Sequence, residues 1–587
     1  MMKFAVEINF NSDQDETGNA FFDFFKNINS GTNPINKKEK FFNLCYLGDS
    51  QNYSKKYIGN DYFHCLSFLS QEDKEKLHSI VDTKYFENKT VSEVMLELYI
   101  KNGPDFLDNL DHGFCFILFD DSKKQVVSNR DFIGFQNIYY LKNRETVYLS
   151  SDFKFLSQLT GQKFSLNSKK MKDFLDLKDL CKSSTFFNEI KKVPPSHELI
   201  VNNENITTKK YTEIKEYGLN GNLDFSKKLL NKLSKSILTN DNFDQKDIGF
   251  LMSGGLDSSS IISIFKTIKK PDQNLFAYSA QFRKFNDKQI KLSDESDFQN
   301  EILCSEEIVD RSFDASNSST ISNLDFYLEL IGQPFFFPNL YIPNEAFKKA
   351  SKDGITVMLN GNDGDSVISH GFEYFIYLFL KLRWIELYKQ ISHTSKIRKK
   401  NKMFIFKRTV IDQLSFYGKT FKSPKKRHIE VLSTVIHANA IEVQSALAGF
   451  YGIRESYPFY NRTLIEFCVN VPSKEKNKKG YSRHLLRDAM KGILPEKIRK
   501  RTSKANLGHA LCFNFCAKDL NVIEYHLHNP QKKVAQLCNI EMLRKTWEKV
   551  KKEPQNFATR SNVPSKIFSY VVLNRWLELN NEFTDLL

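Results

Sequence analysis

The sequence predicts two units of different fold class: an α+β unit of antiparallel sheet over residues 1–212, followed by an α/β unit with a parallel sheet over residues 213–587. Three observations predict this. Up to about residue 210, short runs rich in Phe, Val, Ile and Tyr follow one another with turn-forming Asn, Asp, Gly and Lys between them. Beyond that point the pattern changes to strand, loop, helix, with apolar runs of buried-strand length. One of those runs ends in a glycine turn, SGGLDSS, that opens a helix.

In the first unit the strands are read from FAVEINF, GFCFILFDD, KQVVSNR, NIYYL, TVYLSS and HELIVNN. The polar stretch KEYGLNGNLDF, residues 215–225, is the expected linker. In the second unit DIGFLM (247–252), LFAYSAQF (275–282) and ITVMLNG (355–361) are the expected parallel strands. The last third is mainly helical and closes with KIFSYVVLNRWLEL, where Ile567, Tyr570, Val571 and Trp576 predict an amphipathic helix packed along one face.

Composition narrows the function classes. Lys plus Arg exceeds Asp plus Glu by 15, with a pI near 9.0, a balance that keeps a nucleic-acid partner open. The excess is spread out, however, and its densest clusters, KIRKKNK (396–402) and KKR (425–427), read as solvated surface. Nine cysteines without a CxxC pair predict neither a disulfide framework nor a zinc site and fit a reducing cytoplasm. The N-terminus lacks a signal-peptide core, and the most apolar run, FIYLFLKLRWIEL (375–387), is interrupted by Lys381 and Arg383, so a buried or amphipathic helix is expected there and no integral membrane segment.

The turn after Met252 is read as a phosphate site. A glycine turn between a parallel strand and a helix presents backbone N–H groups and the positive helix end to an anion, and Ser253, Ser258 and Ser259 add hydroxyl donors. The common P-loop needs GxxxxGK[ST]; its lookalike YGKT (417–420) has Gln413 where the first glycine belongs and is a chance match. An aspartate facing phosphates repels them unless a divalent cation intervenes, so Asp257 implies Mg²⁺. A second loop, LNGNDGDSV (359–367), sets Gly361 and Asp365 after another buried strand, and Asp365 becomes the second expected Mg²⁺ ligand.

Ser253-Gly254-Gly255-Leu256-Asp257-Ser258 resembles the PP-loop of ATP pyrophosphatases, whose fold is adenine nucleotide alpha hydrolase-like. Those enzymes cleave ATP between the α- and β-phosphates and transfer AMP to an acceptor. Longer stretches resemble class B asparagine synthetases. DHGFCFILFDDSKKQVVSNRDFIGFQNIYYL (111–141), YLSSDFKFL and TFFNEIKKVPPSHELIV are similar to their Ntn-type glutaminase domain, and YGIRESYPFYNRTLIEFCVNVPS (451–473) and GYSRHLLRDAMKGILPEKIRKRTSK (480–504) to their synthetase domain.

Departures from that pattern set a finer expectation. The chain begins Met1-Met2-Lys3, without the N-terminal cysteine that asparagine synthetases use to release ammonia, so a degenerate glutaminase-like domain is expected. Asn362 stands where asparagine synthetases carry Glu and β-lactam synthetases Tyr, and Arg454, Ser456 and Asn461 stand where asparagine synthetases carry Glu, Arg and Asp. These changes argue against aspartate as substrate. Glu442 is a candidate for the glutamate of the β-lactam synthetase Tyr–Glu pair, although its partner position is an amide.

The branch that remains resembles the lasso peptide cyclases. That resemblance implies an AMP-forming ligase of ribosomal peptide antibiotic biosynthesis, cytoplasmic, using ATP and Mg²⁺. It would adenylate an Asp or Glu side chain of a precursor peptide and close a macrolactam with the peptide's N-terminal amine, alongside a leader peptidase and a leader-recognition protein. Lys504 aligns with the lysine that stabilises charge in the adenylate-consuming step, and Arg501 is expected on phosphate. Ser253, Gly254, Gly255, Asp257, Ser258, Ser259 and Gly361 are expected around the nucleotide, with Ser279 and Ala280 framing adenine and Asp294 and Glu295 resembling an acidic pair of the family. Other readings stay open: an amide ligase acting on a small substrate, a tRNA-modifying PP-loop enzyme, or an inactive scaffold, the last opposed by the intact Ser253, Asp257 and Asp365.

Overall fold

The computed structural model describes residues 3–10, 17–29, 33–58, 61–70, 73–74, 76–77, 89–159, 163–178, 181–219, 223–238, 244–283, 293–305, 307–417, 422–560 and 562–580. Met1 and Met2, and residues 418–420 of the P-loop lookalike, lie outside the described residues.

The β-rich first part folds into strands β1 (Phe4–Asn9), β2 (Ile35–Lys38), β3 (Phe42–Tyr46), β4 (Tyr53–Ile58), β5 (Asp61–Phe68), β6 (Cys115–Asp120), β7 (Gln125–Arg130), β8 (Tyr139–Asn143), β9 (Thr146–Ser150), β10 (Lys191–Lys192), β11 (His197–Val201) and β12 (Ile206–Lys210). They form two antiparallel sheets, ordered β10-β8-β9-β1-β3-β2 and β12-β11-β7-β6-β5-β4. Period-2 alternation explains how they stack. Phe4, Val6 and Ile8 of β1 enter the core between the sheets with Ile117 and Phe119 of β6, while Ala5 joins the core on the outer side. Both faces of β1 are therefore covered, and its one charge, Glu7, is buried and accepts from Asn43 Nδ2 at 2.8 Å.

Helices close the sandwich. The helix Val91–Asn102 starts with a reciprocal Thr90–Glu93 cap and buries Val94, Met95 and Leu98 against the second sheet. The core on the first sheet's outer face extends to the C-terminal helix Val563–Leu579, whose Trp576 lies 5.8 and 5.5 Å from the rings of Phe186 and Phe187. That helix is not amphipathic as predicted: an unbroken run from Ile567 to Asn574 is buried, because other helices pack around it on more than one side.

The second part builds on β13 (Asp247–Leu251), β14 (Asn274–Tyr278), β15 (Ala280–Gln281), β16 (Ile308–Asp310), β17 (Phe313–Asp314), β18 (Val357–Asn360) and β19 (Arg454–Ser456). The main sheet runs β16-β14-β13-β18-β19 and every pairing in it is parallel, while β15 pairs with β17. The chain moves outward one way from β13, then returns to β18 on the other side. Such a reversal opens a crevice at the carboxyl ends of β13 and β18, where open α/β sheets bind ligands. Both glycine loops leave from those two ends.

Two sequence expectations need correction. The run 375–387 is two helices, Phe372–Leu380 and Trp384–Arg398, broken where Leu382 turns to φ 56°. The KKR cluster is not solvated throughout, because Arg427 is buried and Lys425 Nζ donates to Asn470 Oδ1 at 2.9 Å. The expected linker is tied down at its start: Tyr217 N donates to Asn470 Oδ1 at 2.7 Å.

Candidate active site

The turn after β13 forms because Gly254 takes φ 76°, which a side chain rarely adopts and which brings its Cα within close reach of Gln299 N. The helix Leu256–Ile268 then starts at Gly255, which has no side chain to cap it, so its first turn stays open to an anion. Ser253 Oγ lies 3.1 Å from Ser258 Oγ, and Gly255 N donates to Ser253 Oγ at 3.3 Å.

The second loop is pressed against the first by two glycines. A Cβ on Gly361 would meet Ser258 N at 2.5 Å, and one on Gly364 would meet Asp257 Cβ at 2.9 Å. Asp363 turns to φ 57° and is held by the Tyr460 hydroxyl and by His437 Nδ1 at 2.9 Å, which leaves Asp365 in the first turn of the helix Gly364–Ile368.

A cavity of about 390 Å³ opens at this crevice, walled by Ser253, Gly255, Asp257, Ser258, Ala280, Gly361, Asp365, Arg501 and Lys504 of the predicted set. Gly254 contributes from behind the wall, its carbonyl accepting from Arg501 Nη1 at 3.2 Å. Ser259 and Ser279 are fully buried and lie off the wall, and the Ser279 carbonyl is taken by Phe313 N at 2.9 Å. Of the acidic pair, Glu295 lines the cavity, pairs with Arg501 and accepts from Ala505 N at 2.7 Å. Asp294 instead serves the local turn, accepting from Phe282 N at 3.2 Å and Ser296 Oγ at 2.6 Å. Arg501 also stacks on Phe298 at 3.7 Å, so the guanidinium is fixed on three sides.

The two aspartates are shifted in opposite directions. Burial pushes the Asp365 carboxyl up, but Lys504 at 3.3 Å, His370 and Arg483 outweigh it and hold it at about 2. Burial raises Asp257, with Arg483 pulling the other way and the Asp365 charge adding to the rise. Asp257 Oδ1 is buried without a hydrogen-bond partner while Oδ2 accepts from Arg483. Among the described residues no cluster of three or more His, Cys, Asp or Glu forms a closed metal cage. Two carboxylates beside a phosphate cradle, one with an unpartnered oxygen, nevertheless fit Mg²⁺, which is commonly held by one or two carboxylates plus substrate phosphates.

Residues 230–578 match Asparagine synthase and residues 69–212 match the Glutamine amidotransferase domain. The chain belongs to the asparagine synthase family. Glutamine-hydrolyzing asparagine synthetase 3 of Bacillus subtilis is 22% identical over 71% of this chain and 70% of its own length. Glutamine-hydrolyzing asparagine synthetase 1 of the same organism is 20% identical over 81% and 77%. Like other family members the chain is an enzyme, an ATP-dependent amide ligase of the AMP-forming kind. The two-unit fold, an amidotransferase-type antiparallel sandwich followed by a synthase-type α/β unit, agrees with the family matches. Among the described residues no helix is long and apolar enough to cross a membrane.

Within this family member several cavity groups escaped the sequence. Arg483 and Arg487 line the wall from a segment valued only for its resemblance, and the one local signal was a pair of arginines four apart on a helix start. Asn362 Nδ2 donates to Gln444 Oε1 at 3.1 Å, and Gln444 Nε2 donates onward to Glu455 at 2.6 Å. Glu455 also accepts from Tyr457 and Asn360, and burial, against those three bonds, pushes it up to about 7. Glu442 is not at this cavity. It is held by Tyr139, Lys192 and Gln333 at the junction of the two units, because its helix, Val435–Phe450, turns that position toward β8 and β10.

Proposed function

We propose that this ligase is a lasso peptide cyclase, adenylating an Asp or Glu side chain of a ribosomal precursor peptide and joining it to the peptide's N-terminal amine. The observation that carries this reading is the neutral Asn362–Gln444 amide pair on the cavity wall beside Asp257 and Asp365. A ligase for a free amino acid must balance an ammonium and a second carboxylate inside the site, since an unpaired buried charge is costly. Here the amide pair neighbours apolar Phe282, Phe337, Ile342 and Leu507, the adjacent carboxylate Asp363 is already engaged by Tyr460 and His437, and Arg454, Ser456 and Asn461 lie off the wall. An acyl group embedded in a peptide brings neither of those charges.

In this reading Ser253, Ser258 and the first helical turn hold the β- and γ-phosphates, with Arg501 and Arg483 beside them. Asp257 and Asp365 would hold Mg²⁺, which when bound neutralises the charge on the departing pyrophosphate. The peptide carboxylate oxygen attacks the α-phosphorus, the α–β bridging bond breaks and pyrophosphate leaves. The amine then attacks the acyl carbon, loses its proton, and the bond to AMP breaks; Lys504 next to Asp365 stabilises the negative charge of that step. Holding the adenylated side chain and the N-terminal amine in one pocket makes ring closure effectively unimolecular. A leader peptidase and a leader-recognition protein are the partners this activity requires, since the amine must first be freed.

The experiment is mass spectrometry of peptides from cells expressing the gene with its neighbouring reading frames, beside an Asp257→Ala control. A protease-resistant peptide one water lighter than its linear core, and missing from the control, supports the cyclase. Release of AMP with a small carboxylate alone, and no such peptide, overturns it in favour of a small-substrate ligase.

A further inference from the structure

The helical pair after the second loop carries a surface that the ligase chemistry leaves unused. The helix Trp384–Arg398 buries Leu387 and Ile391 on its inner side, packing with Phe375, Leu378, Ile405 and Val410. Its outer side is also apolar: Ile385 is 77% exposed, Trp384 50% and Tyr388 59%, and Leu382 just before it 68%. The helix Lys402–Phe406 continues the patch with Met403 at 71% exposed, and Lys402 Nζ sits 2.7 Å from Tyr388 Oη, which joins the two helices into one face. A surface helix normally turns such residues inward, and exposed apolar patches of this kind mark interaction sites.

Charge says what covers it. Between residues 381 and 408 there are ten basic residues and one acidic residue, Glu386, so this segment holds nine of the chain's fifteen excess positive charges. All but one of the ten, Arg398, are exposed. Exposed large apolar side chains set among exposed lysine and arginine complement an anionic lipid surface, where apolar groups enter the acyl boundary and the basic groups meet phosphate headgroups. An acidic protein partner would match the charge, but the depression walled by Leu382, Trp384 and Ile385 is shallow and open rather than a closed anchor pocket, and these side chains and Met403 are half or more exposed around it.

We infer that this helical pair docks the enzyme peripherally on anionic membrane. The cavity residues take no part in this, so the inference stands apart from the choice of peptide substrate.

The chain supplies its own reporter. Of its three tryptophans, Trp547 and Trp576 are 2% exposed, which leaves Trp384 as the solvent-facing one. Full-length protein is mixed with vesicles of phosphatidylcholine, alone or with phosphatidylglycerol. The expected result is a blue shift of tryptophan emission and co-sedimentation only with the anionic vesicles, both reversed by raised salt. Leu382→Ser with Ile385→Ser, and separately Lys396→Gln with Lys400→Gln, each weaken binding by roughly tenfold. AMP release is unchanged in both. No binding to anionic vesicles overturns the inference. So does binding that the apolar pair leaves unchanged, which is charge attraction without insertion. If the apolar pair instead converts a self-associated form to monomers in sedimentation velocity, the face belongs to a second copy and the membrane assignment falls.

Discussion

Arg483 Nη1 donates to Asp257 Oδ2 at 2.5 Å, joining residues 226 positions apart. Arg483 reaches it from φ 53°, a left-handed conformation that a non-glycine residue adopts at some cost, and such strain tends to collect at working sites. The contact occupies one oxygen of Asp257 and leaves the other buried without a hydrogen-bond partner, with the charge of nearby Asp365 pushing the carboxyl further up.

Asp257→Ala and Asp365→Ala each remove one proposed Mg²⁺ ligand. AMP release is expected to fall by about 100-fold or more in each, read as pyrophosphate production across a magnesium titration. Wild-type turnover in either variant would remove the two-carboxylate scheme.

Lys504→Met should separate binding from chemistry. Its ammonium is largely exposed and touches Asp365 rather than the serine cradle, so KM for ATP is expected to change little while kcat falls about 100-fold. A rise in KM with kcat intact would instead assign Lys504 to ground-state nucleotide binding.

Gly361→Ala forces a methyl group against the Ser258 backbone at 2.5 Å, where no flexible side chain can yield. The expected cost is about 1–3 kcal/mol of stability together with loss of ATP binding, measured by thermal unfolding and calorimetry. Gly452→Ala is the comparison: Gly452 sits at φ 71°, a strain Gly361 does not carry, but has open space around it, so only stability should drop.

Glu455 gives stability a pH dependence of unusual sign for a carboxylate. Its folded value of about 7 lies above the 4.5 of the unfolded chain, so the fold binds the proton more tightly. Its contribution is fully present below pH 4.5 and is lost as pH rises through 7. Glu455→Gln should remove a decline on the order of 3 kcal/mol across that window, checked by denaturant unfolding at pH 5 and pH 8. Asp365 behaves oppositely: held at about 2, it adds stability above its ordinary 3.8 that disappears as pH falls toward 2.

The fold classes and the phosphate turn were legible because they rest on local signals. Period-2 runs such as FAVEINF and a six-residue turn after DIGFLM carry their meaning in adjacent residues. Ser259 and Ser279 show where that reading runs out: a helix of 3.6 residues per turn rotates Ser259 away from the cavity that Ser258 faces, and the strand pleat turns Ser279 inward beside Ala280. Glu442 illustrates the same limit over a longer range, since which helix face meets β8 depends on how the two units pack.

By itself the sequence determined the two fold classes and the SGGLDSS and GNDGD loops, since each follows from residue type and spacing along a short stretch of chain. Only the tertiary structure decided that Arg483 meets Asp257, that an Asn362–Gln444–Glu455 chain of hydrogen bonds backs the cavity, and that the apolar side of Trp384 faces solvent. Those facts depend on elements brought together from distant positions by burial and sheet order, and no local periodicity encodes which distant side chain arrives at a given place.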